Sequence, residues 1–216
     1  MIYLGKFCWK QEVMIFVVYY NNPYIFLNTK LYMKFIDKRD EIESELRKMP
    51  SFSKVSFLDG ILKSDATIDV KRFVYLKLAQ VYGDIGMNKE ASRNIHKAAE
   101  KAMNLNDKAE ILKAEIEFLI KSEDYEGVSD VFRRIVNLGG DSGATKVMIK
   151  EMFNAKARQM MDKGNKNKAV DAYEKMLGYV SEAEDEIMIK EILLTLYRDT
   201  GKIQDYNLLK AQFEKD

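Results

Sequence analysis

The sequence is poor in cysteine, proline and histidine, and each scarcity excludes a class of structure or site. Cys8 is the single cysteine among 216 residues, so no internal disulfide or multi-cysteine zinc site can form, and a reducing cytoplasm fits. The only prolines are Pro23 and Pro50, so long helices can run almost uninterrupted. The only histidine is His96, with no further histidine or cysteine near it to complete a ligand set. We therefore expect no metal site and no cofactor.

An excess of one charge sign is also lacking. Lysine and arginine total 35 and the acids total 34, which gives a formal net charge of +1. Nucleic-acid binders draw much of their affinity from neutralised phosphates and need a basic excess. Nucleic acid is therefore not an expected partner. Hydrophobic residues make up 47% of the chain, which is enough to bury a sizeable core.

The sequence does contain a recurring pair of helical apolar stripes. A short polar turn separates the stripes of each pair, at Gly86, Glu123, Gly164 and Gly201, in steps of 37, 41 and 37 residues. A recurring step of this size predicts stacked helical hairpins, which make binding surfaces and seldom carry chemistry. Strand signals are absent from residue 34 onward. The predicted fold is an all-α, right-handed α-solenoid of stacked antiparallel hairpins, with about ten helices.

The chain divides into three predicted regions: residues 1–33, an opening helical hairpin at 34–69, and four divergent repeats at 70–216. The first region is apolar and holds nine of the 24 aromatic residues. Three interpretations of it stay open: a small hairpin or strand packed on the array, a signal or membrane anchor, and an over-extended start with translation beginning at Met33. Its apolar run is shorter than a membrane span, which needs about 20 residues.

The segment from residue 72 to 216 resembles tetratricopeptide-type repeats. In that family large, small and aromatic residues recur on the first helix, a Gly or polar turn follows, and the second helix carries an alanine, an aromatic and another small residue. The first repeat matches best, at Tyr75, Leu78, Ala79, Tyr82, Gly86, Ala91, Ile95 and Ala98. The third also matches well, at Phe153, Ala157, Met160, Gly164, Ala169, Tyr173 and Met176. The second and fourth depart from the pattern, with Val128 and Tyr206 in place of the alanine.

The resemblance implies a non-catalytic scaffold that binds a protein or peptide in a concave groove lined by the first helix of each pair. The groove positions carried onto this chain predict the partner-binding residues Phe73, Leu76, Gln80, Lys113, Glu117, Asn154, Arg158 and Arg198. Phe73 and Leu76 would anchor a bound peptide or helix. One subset of the family grips the carboxylate of chaperone tails with Lys, Asn and Arg. Other residues stand at those positions here, so chaperone tails are not expected partners.

Two groups of residues suggest chemistry, but we interpret both as structural. The string Gly140-Asp141-Ser142-Gly143 is also found around the nucleophile of chymotrypsin-like proteases. The only possible base is His96, one repeat earlier, so a loop between helices is the better interpretation, and it also accounts for the step of 41. His96 itself is expected to face solvent beside Glu100, and paired acids such as Glu115 and Glu117 are expected on solvated helix faces. No catalytic residues are predicted.

Three alternatives remain beside the scaffold. The chain could be a membrane-associated scaffold held through residues 1–33, although a membrane partner is not the main expectation. It could be an enzyme of unknown class. The final helix adds the third, because outward exposure of Leu208 would leave the end of the array open to homo-oligomer formation.

Overall fold

The computed structural model describes residues 39–213, and within that range the chain forms ten α-helices. They are α1 Arg39–Arg47, α2 Ser51–Leu62, α3 Ile68–Asp84, α4 Asn88–Glu100, α5 Leu105–Lys121, α6 Tyr125–Asn137, α7 Ser142–Asp162, α8 Lys166–Met176, α9 Ala183–Thr200 and α10 Ile203–Phe213. A single 3-10 turn, Leu177–Tyr179, follows α8. The predictions made for residues 1–33 lie outside the described residues.

The helices pack as successive hairpins, and from α2 onward each helix contacts the next one along the chain. The predicted all-α solenoid is confirmed. In the first repeat, Ala79 of α3 and Ala91 of α4 are both fully buried in one cluster with Ile95. Small side chains at these positions let the two helix axes approach closely.

The four predicted turns share one backbone geometry. Gly86, Glu123, Gly164 and Gly201 all have a positive φ, between 64° and 78°. In each turn the next residue's N–H donates to a carbonyl five residues back, over 2.8–2.9 Å, as in the Schellman motif that ends helices. Three of the turns use glycine, for which this conformation costs little, and the second uses glutamate.

The step of 41 residues comes from a longer helix, so its attribution to the glycine-rich loop is wrong. Helix α7 has 21 residues, whereas α5 has 17. The loops before these two helices, at 101–104 and 138–141, are equally long. The protease-like string spans the second loop and the start of α7, where Asp141 caps the helix by accepting the N–H of Ala144 at 2.9 Å. The string was interpreted as a loop between helices, and the structure makes its second half the start of α7.

The core is divided along the array. Helices α1 to α3 share one apolar cluster, and the small cluster around Ala79, Ala91 and Ile95 joins α3 to α4. One continuous cluster then extends from the end of α4 through to α10, with Phe153 and Leu193 among its buried residues. The hairpin of α5 and α6 therefore stands between two differently built junctions.

Candidate peptide-binding face

The first helices of the repeats, α3, α5, α7 and α9, are linked along one side of the array, which we call the first-helix face. Arg72 of α3 lies 3.8 Å from Asp107 of α5. Helices α5 and α7 are in direct contact. Lys150 of α7 donates to Asp185 of α9 over 2.6 Å. These ion pairs join α3 to α5 and α7 to α9.

The two predicted apolar anchors lie on α3 but pack against different clusters. Phe73 joins the cluster of α1 to α3, where Lys77 Nζ lies 5.2 Å from its ring centre. Leu76 packs with Ala79 and Ile95, in the cluster that joins α3 to α4. Gln80 is exposed and helps to line a shallow cleft of about 240 Å³ against α1 and α2. Both anchors are half-buried, so much of their apolar surface is already used within the fold.

The charged residues predicted on α5 are paired within their own helix. Lys113 donates to Glu110 over 2.6 Å, one turn earlier. Glu117 accepts from Lys121, one turn later. Such pairs on a helix surface contribute only a few tenths of a kcal/mol, about 0.2–0.5, but they partly neutralise the charge offered to a partner.

The basic residues predicted on α7 and α9 are not paired in this way. Arg158 and Arg198 are both exposed, and neither forms an ion pair within residues 39–213. Asn154 is half-buried one turn before Arg158 on α7. Their neighbour Lys150 is neutralised by Asp185. Among the predicted basic residues, Arg158 and Arg198 are therefore the two that form no ion pair within this range, whereas Lys113 is paired.

The structure overturns the expectation that Glu115 faces solvent, whereas His96 keeps a 34% exposed side chain with Glu100 beside it. Glu115 of α5 is only 5% exposed, and both of its carboxylate oxygens lie 3.2 Å from His96 Nδ1 on α4. Arg134 of α6 places a guanidinium nitrogen 3.2 Å from the same ring nitrogen, and Glu100 lies 3.8 Å from the other. Burial raises the pKa of Glu115, while His96 and Arg134 partly offset the rise. His96, Glu115 and Arg134 form a polar network across two hairpins.

A second charged cluster surrounds Glu123 in the α5–α6 turn. Lys168 of α8 donates to both carboxylate oxygens over 2.8 and 2.9 Å, and Lys156 of α7 lies 3.4 Å away. Lys156 is only 9% exposed at its side chain and also donates to the Lys121 carbonyl at the C-terminus of α5. There a cation meets the negative end of the helix dipole. The lysines lower the pKa of Glu123.

Sequence reasoning missed both clusters, and only one of them left a signal. Glu123 stands where the other three turns have glycine, and that exception alone singles it out. The partners His96, Glu115 and Arg134 come from three helices of two repeats, and their meeting depends on how the hairpins are oriented. Among residues 39–213 there is no group of three or more His, Cys, Asp or Glu side chains placed to hold a metal ion.

Comparison with known proteins gives similarity at the level of the fold. No protein-family model matches the chain, and no curated protein matches it in sequence. One similar solved structure is a crystal structure of MamA protein, 17% identical, with 87% of this chain and 88% of that chain covered and a TM-score of 0.41. Another, a crystal structure of MamA, is 17% identical over 81% of this chain and 95% of that chain, with a TM-score of 0.39. Similarity at this level transfers no function, partner or site residue to the chain.

The described helices also bear on membrane insertion. No helix between residues 39 and 213 is both long enough and apolar enough to cross a membrane.

Proposed function

We propose that the chain is a non-catalytic interaction module that binds an acidic peptide or helix along the first-helix face. The observation that carries this proposal is the pair Arg158 and Arg198, two exposed guanidinium groups on neighbouring first helices that form no ion pair within residues 39–213. Guanidinium groups suit carboxylates, because their planar donors can bind both oxygens at once. The α7–α9 end would therefore orient the peptide, with Asn154 beside it.

Charge reversal tests the proposal with a matched contrast. The double variant Arg158→Glu/Arg198→Glu should lose most of its affinity for a fluorescein-labelled amphipathic helical peptide of glutamate and leucine, measured by anisotropy. Lys113→Glu, in which the removed charge was already neutralised by Glu110, should weaken binding much less. The wild-type affinity should also fall as salt is raised.

Two results would exclude the acidic-peptide site. One is binding by the double variant that equals wild type at low salt. The other is a loss in Lys113→Glu as large as in the double variant, because the unpaired arginines would then not be the determinant. Thermal unfolding of each variant serves as the control that the fold is retained.

A second interaction is favoured by the exposure of α10. Leu208 is 67% exposed and Ile203 is 55% exposed, although both are large and apolar. We propose that this surface supports self-association of the chain. Light scattering should then give a larger mass for the wild type than for Leu208→Lys. A monomer in both cases would rule the proposal out.

The proposed setting is the cytoplasm, which the scarcity of cysteine supports. The alternative of a membrane-associated scaffold rests on residues 1–33, which lie outside the described range. Its test is removal of those residues, which would move the protein from the membrane fraction to the soluble fraction.

A further inference from the structure

A second concave site lies between α6 and α8, beside Phe153 of α7. Its volume is about 360 Å³, close to the lower limit of about 300 Å³ for ligand pockets. Four aromatic side chains line it, Tyr125 and Phe132 of α6, Phe153 of α7 and Tyr179 of the 3-10 turn. The volume suits one large side chain and is too small for a folded segment. We call this site the aromatic cleft.

The rings of the cleft are held in fixed relative positions. The centre of the Phe153 ring lies 5.3 Å from that of Tyr125 and 5.9 Å from that of Tyr179, while Phe132 meets Tyr179 edge-on at 5.7 Å. The hydroxyls of Tyr179 and Ser129 hydrogen-bond at 3.0 Å, which fixes Tyr179 from its polar end. Tilted, stacked and edge-on contacts at these distances are the arrangements that aromatic pairs prefer. A further ring entering the cleft would find both faces and edges to contact.

The mouth of the cleft is open at Gly178. A Cβ added to this glycine would meet nothing within 4 Å, and its φ lies outside the left-handed region. A larger side chain at this position could therefore occupy the cleft without backbone strain.

The charges at the mouth leave one unpaired cation. Arg133 is paired with Asp130, and Glu174 accepts the Tyr197 hydroxyl at 3.0 Å with Lys202 3.8 Å away. Lys175 is exposed and forms no ion pair in the described part of the chain. The mouth thus presents an unmatched positive charge beside an aromatic cavity.

We propose that the aromatic cleft binds a peptide segment in which an aromatic side chain is followed by an acidic residue. The aromatic ring packs on the exposed parts of Tyr125 and Phe132, above the buried rings of Phe153 and Tyr179, and the acidic side chain meets Lys175. This site is independent of the first-helix face, since none of its lining residues belongs to the predicted groove set.

Nuclear magnetic resonance on the full 216-residue chain tests the site, with the Gly178 amide as the reporter. The probe is the capped dipeptide acetyl-Trp-Asp-amide, and the controls are acetyl-Ala-Asp-amide and acetyl-Trp-Lys-amide. At millimolar concentration the first should shift the Gly178 amide saturably. The alanine peptide should not, because it lacks the ring, and the lysine peptide should bind several-fold more weakly because its charge is repelled.

Two variants locate the binding. Gly178→Leu fills the cleft and should weaken acetyl-Trp-Asp-amide binding by about tenfold or more, whereas Gly178→Ala should leave it nearly unchanged. Lys175→Glu keeps the cavity and should reverse the preference between the two tryptophan peptides. The two positions changed, Lys175 and Gly178, are exposed, so the unfolding temperature should stay near that of the wild type.

The proposal is overturned by the absence of a saturable shift at Gly178, by equal shifts with all three peptides, or by unchanged binding in a folded Gly178→Leu variant. The Arg158→Glu/Arg198→Glu variant separates this site from the first-helix face. It should bind acetyl-Trp-Asp-amide as the wild type does, so either site can fail while the other stands.

Discussion

The hairpin of α5 and α6 is joined to its two neighbours in opposite ways. Toward α3 and α4, the N-terminal junction consists of small residues around Ala91 and the network of His96, Glu115 and Arg134. Toward α7 and α8, the C-terminal junction is a continuous apolar core, and its charges lie at the edge, where Glu123 meets Lys156 and Lys168. One junction encloses its carboxylate, and the other keeps it at the surface.

The position of the carboxylate decides the direction in which its pKa moves. Burial raises the pKa of Glu115, because desolvation disfavours the charged form more than its partners restore it. The lysine contacts lower the pKa of Glu123, because the hydrogen bond from Lys168, with the charges of both lysines, outweighs the desolvation of its carboxylate. Two glutamates on one hairpin therefore give opposite contributions to the pH dependence of stability.

The largest effect is expected at the C-terminal junction, in the variant Phe153→Ala. Phe153 is fully buried between Tyr125 and Tyr179. Its truncation leaves a cavity in the continuous core and should lower the free energy of unfolding by about 3–5 kcal/mol. Urea denaturation followed by circular dichroism measures the loss.

The matched control is Phe52→Ala, because Phe52 is 80% exposed and should change stability by no more than about 0.5 kcal/mol. If Phe153→Ala lowered the free energy of unfolding no more than this control does, the C-terminal junction would not be stabilised by its apolar core.

The next effect is expected within the α3–α4 hairpin, beside the N-terminal junction, where close approach depends on small residues. Ala91 is fully buried against Ala79, and Ala91→Leu adds volume that α3 and α4 cannot accommodate without moving apart. Overpacking of this kind should lower the free energy of unfolding by about 1–3 kcal/mol. The measurement is again urea denaturation.

The contrast for Ala91→Leu is the same change at an exposed alanine, Ala155→Leu on α7. That variant should be close to neutral, since leucine is nearly as good a helix former as alanine. Equal stability of the two variants would show that the approach of α3 and α4 is not tight.

Much of the fold was predictable because its signals are local. Positive-φ turns ending in glycine and polar caps such as Thr67, Asn104 and Asp141 depend on a few neighbouring residues. They mark helix ends in the sequence itself. The step of 41 was attributed to a loop because of the glycines in the protease-like string, whereas Asp141 already caps a helix that starts at Ser142.

The candidate site was less predictable, because it depends on which side chains already have partners. Lys113 and Arg158 are equivalent in a list of groove positions, yet Lys113 is paired with Glu110. Glu115 was expected on a solvated face, since nothing in its own helix announces that His96 and Arg134 meet it. Such contacts follow from the angle between hairpins, which a single sequence does not encode locally. Whether the predicted groove residues bind a partner stays a prediction.

A smaller effect is expected at Glu123, where backbone strain and charge oppose each other. Glu123 has φ of 64°, which costs a non-glycine residue about 1 kcal/mol. Glu123→Ala keeps this strain and loses the contacts with both lysines. Glu123→Gly also loses these contacts but relieves the strain. The alanine variant should therefore be less stable than the glycine variant by about 1 kcal/mol, measured by urea denaturation.

Acid titration checks the role of the lysines at Glu123. The pKa of Glu123 in the folded state lies below the ordinary value of 4.5. Its contribution to stability is therefore present above that pH and is lost as the pH falls through the folded pKa. Both variants should lack this acid-dependent loss. If the wild type and the variants lost stability in parallel on acidification, the lysine contacts would contribute nothing.

The smallest effect, and the one that most sharpens the comparison, is expected from Glu115→Gln. A raised folded pKa gives stability that is fully present below the unfolded value of 4.5 and is lost as the pH rises through the folded value. Glutamine stays neutral and keeps hydrogen-bonding groups for His96, with Glu100 and Arg134 still in place. Between pH 4.5 and 7 the wild-type urea midpoint should therefore fall relative to that of Glu115→Gln, which should be at least as stable at pH 7. If the urea midpoint of the wild type instead rose relative to that of the variant as the pH increased, the ionised network would stabilise the N-terminal junction. The contrast with Glu123 would then disappear.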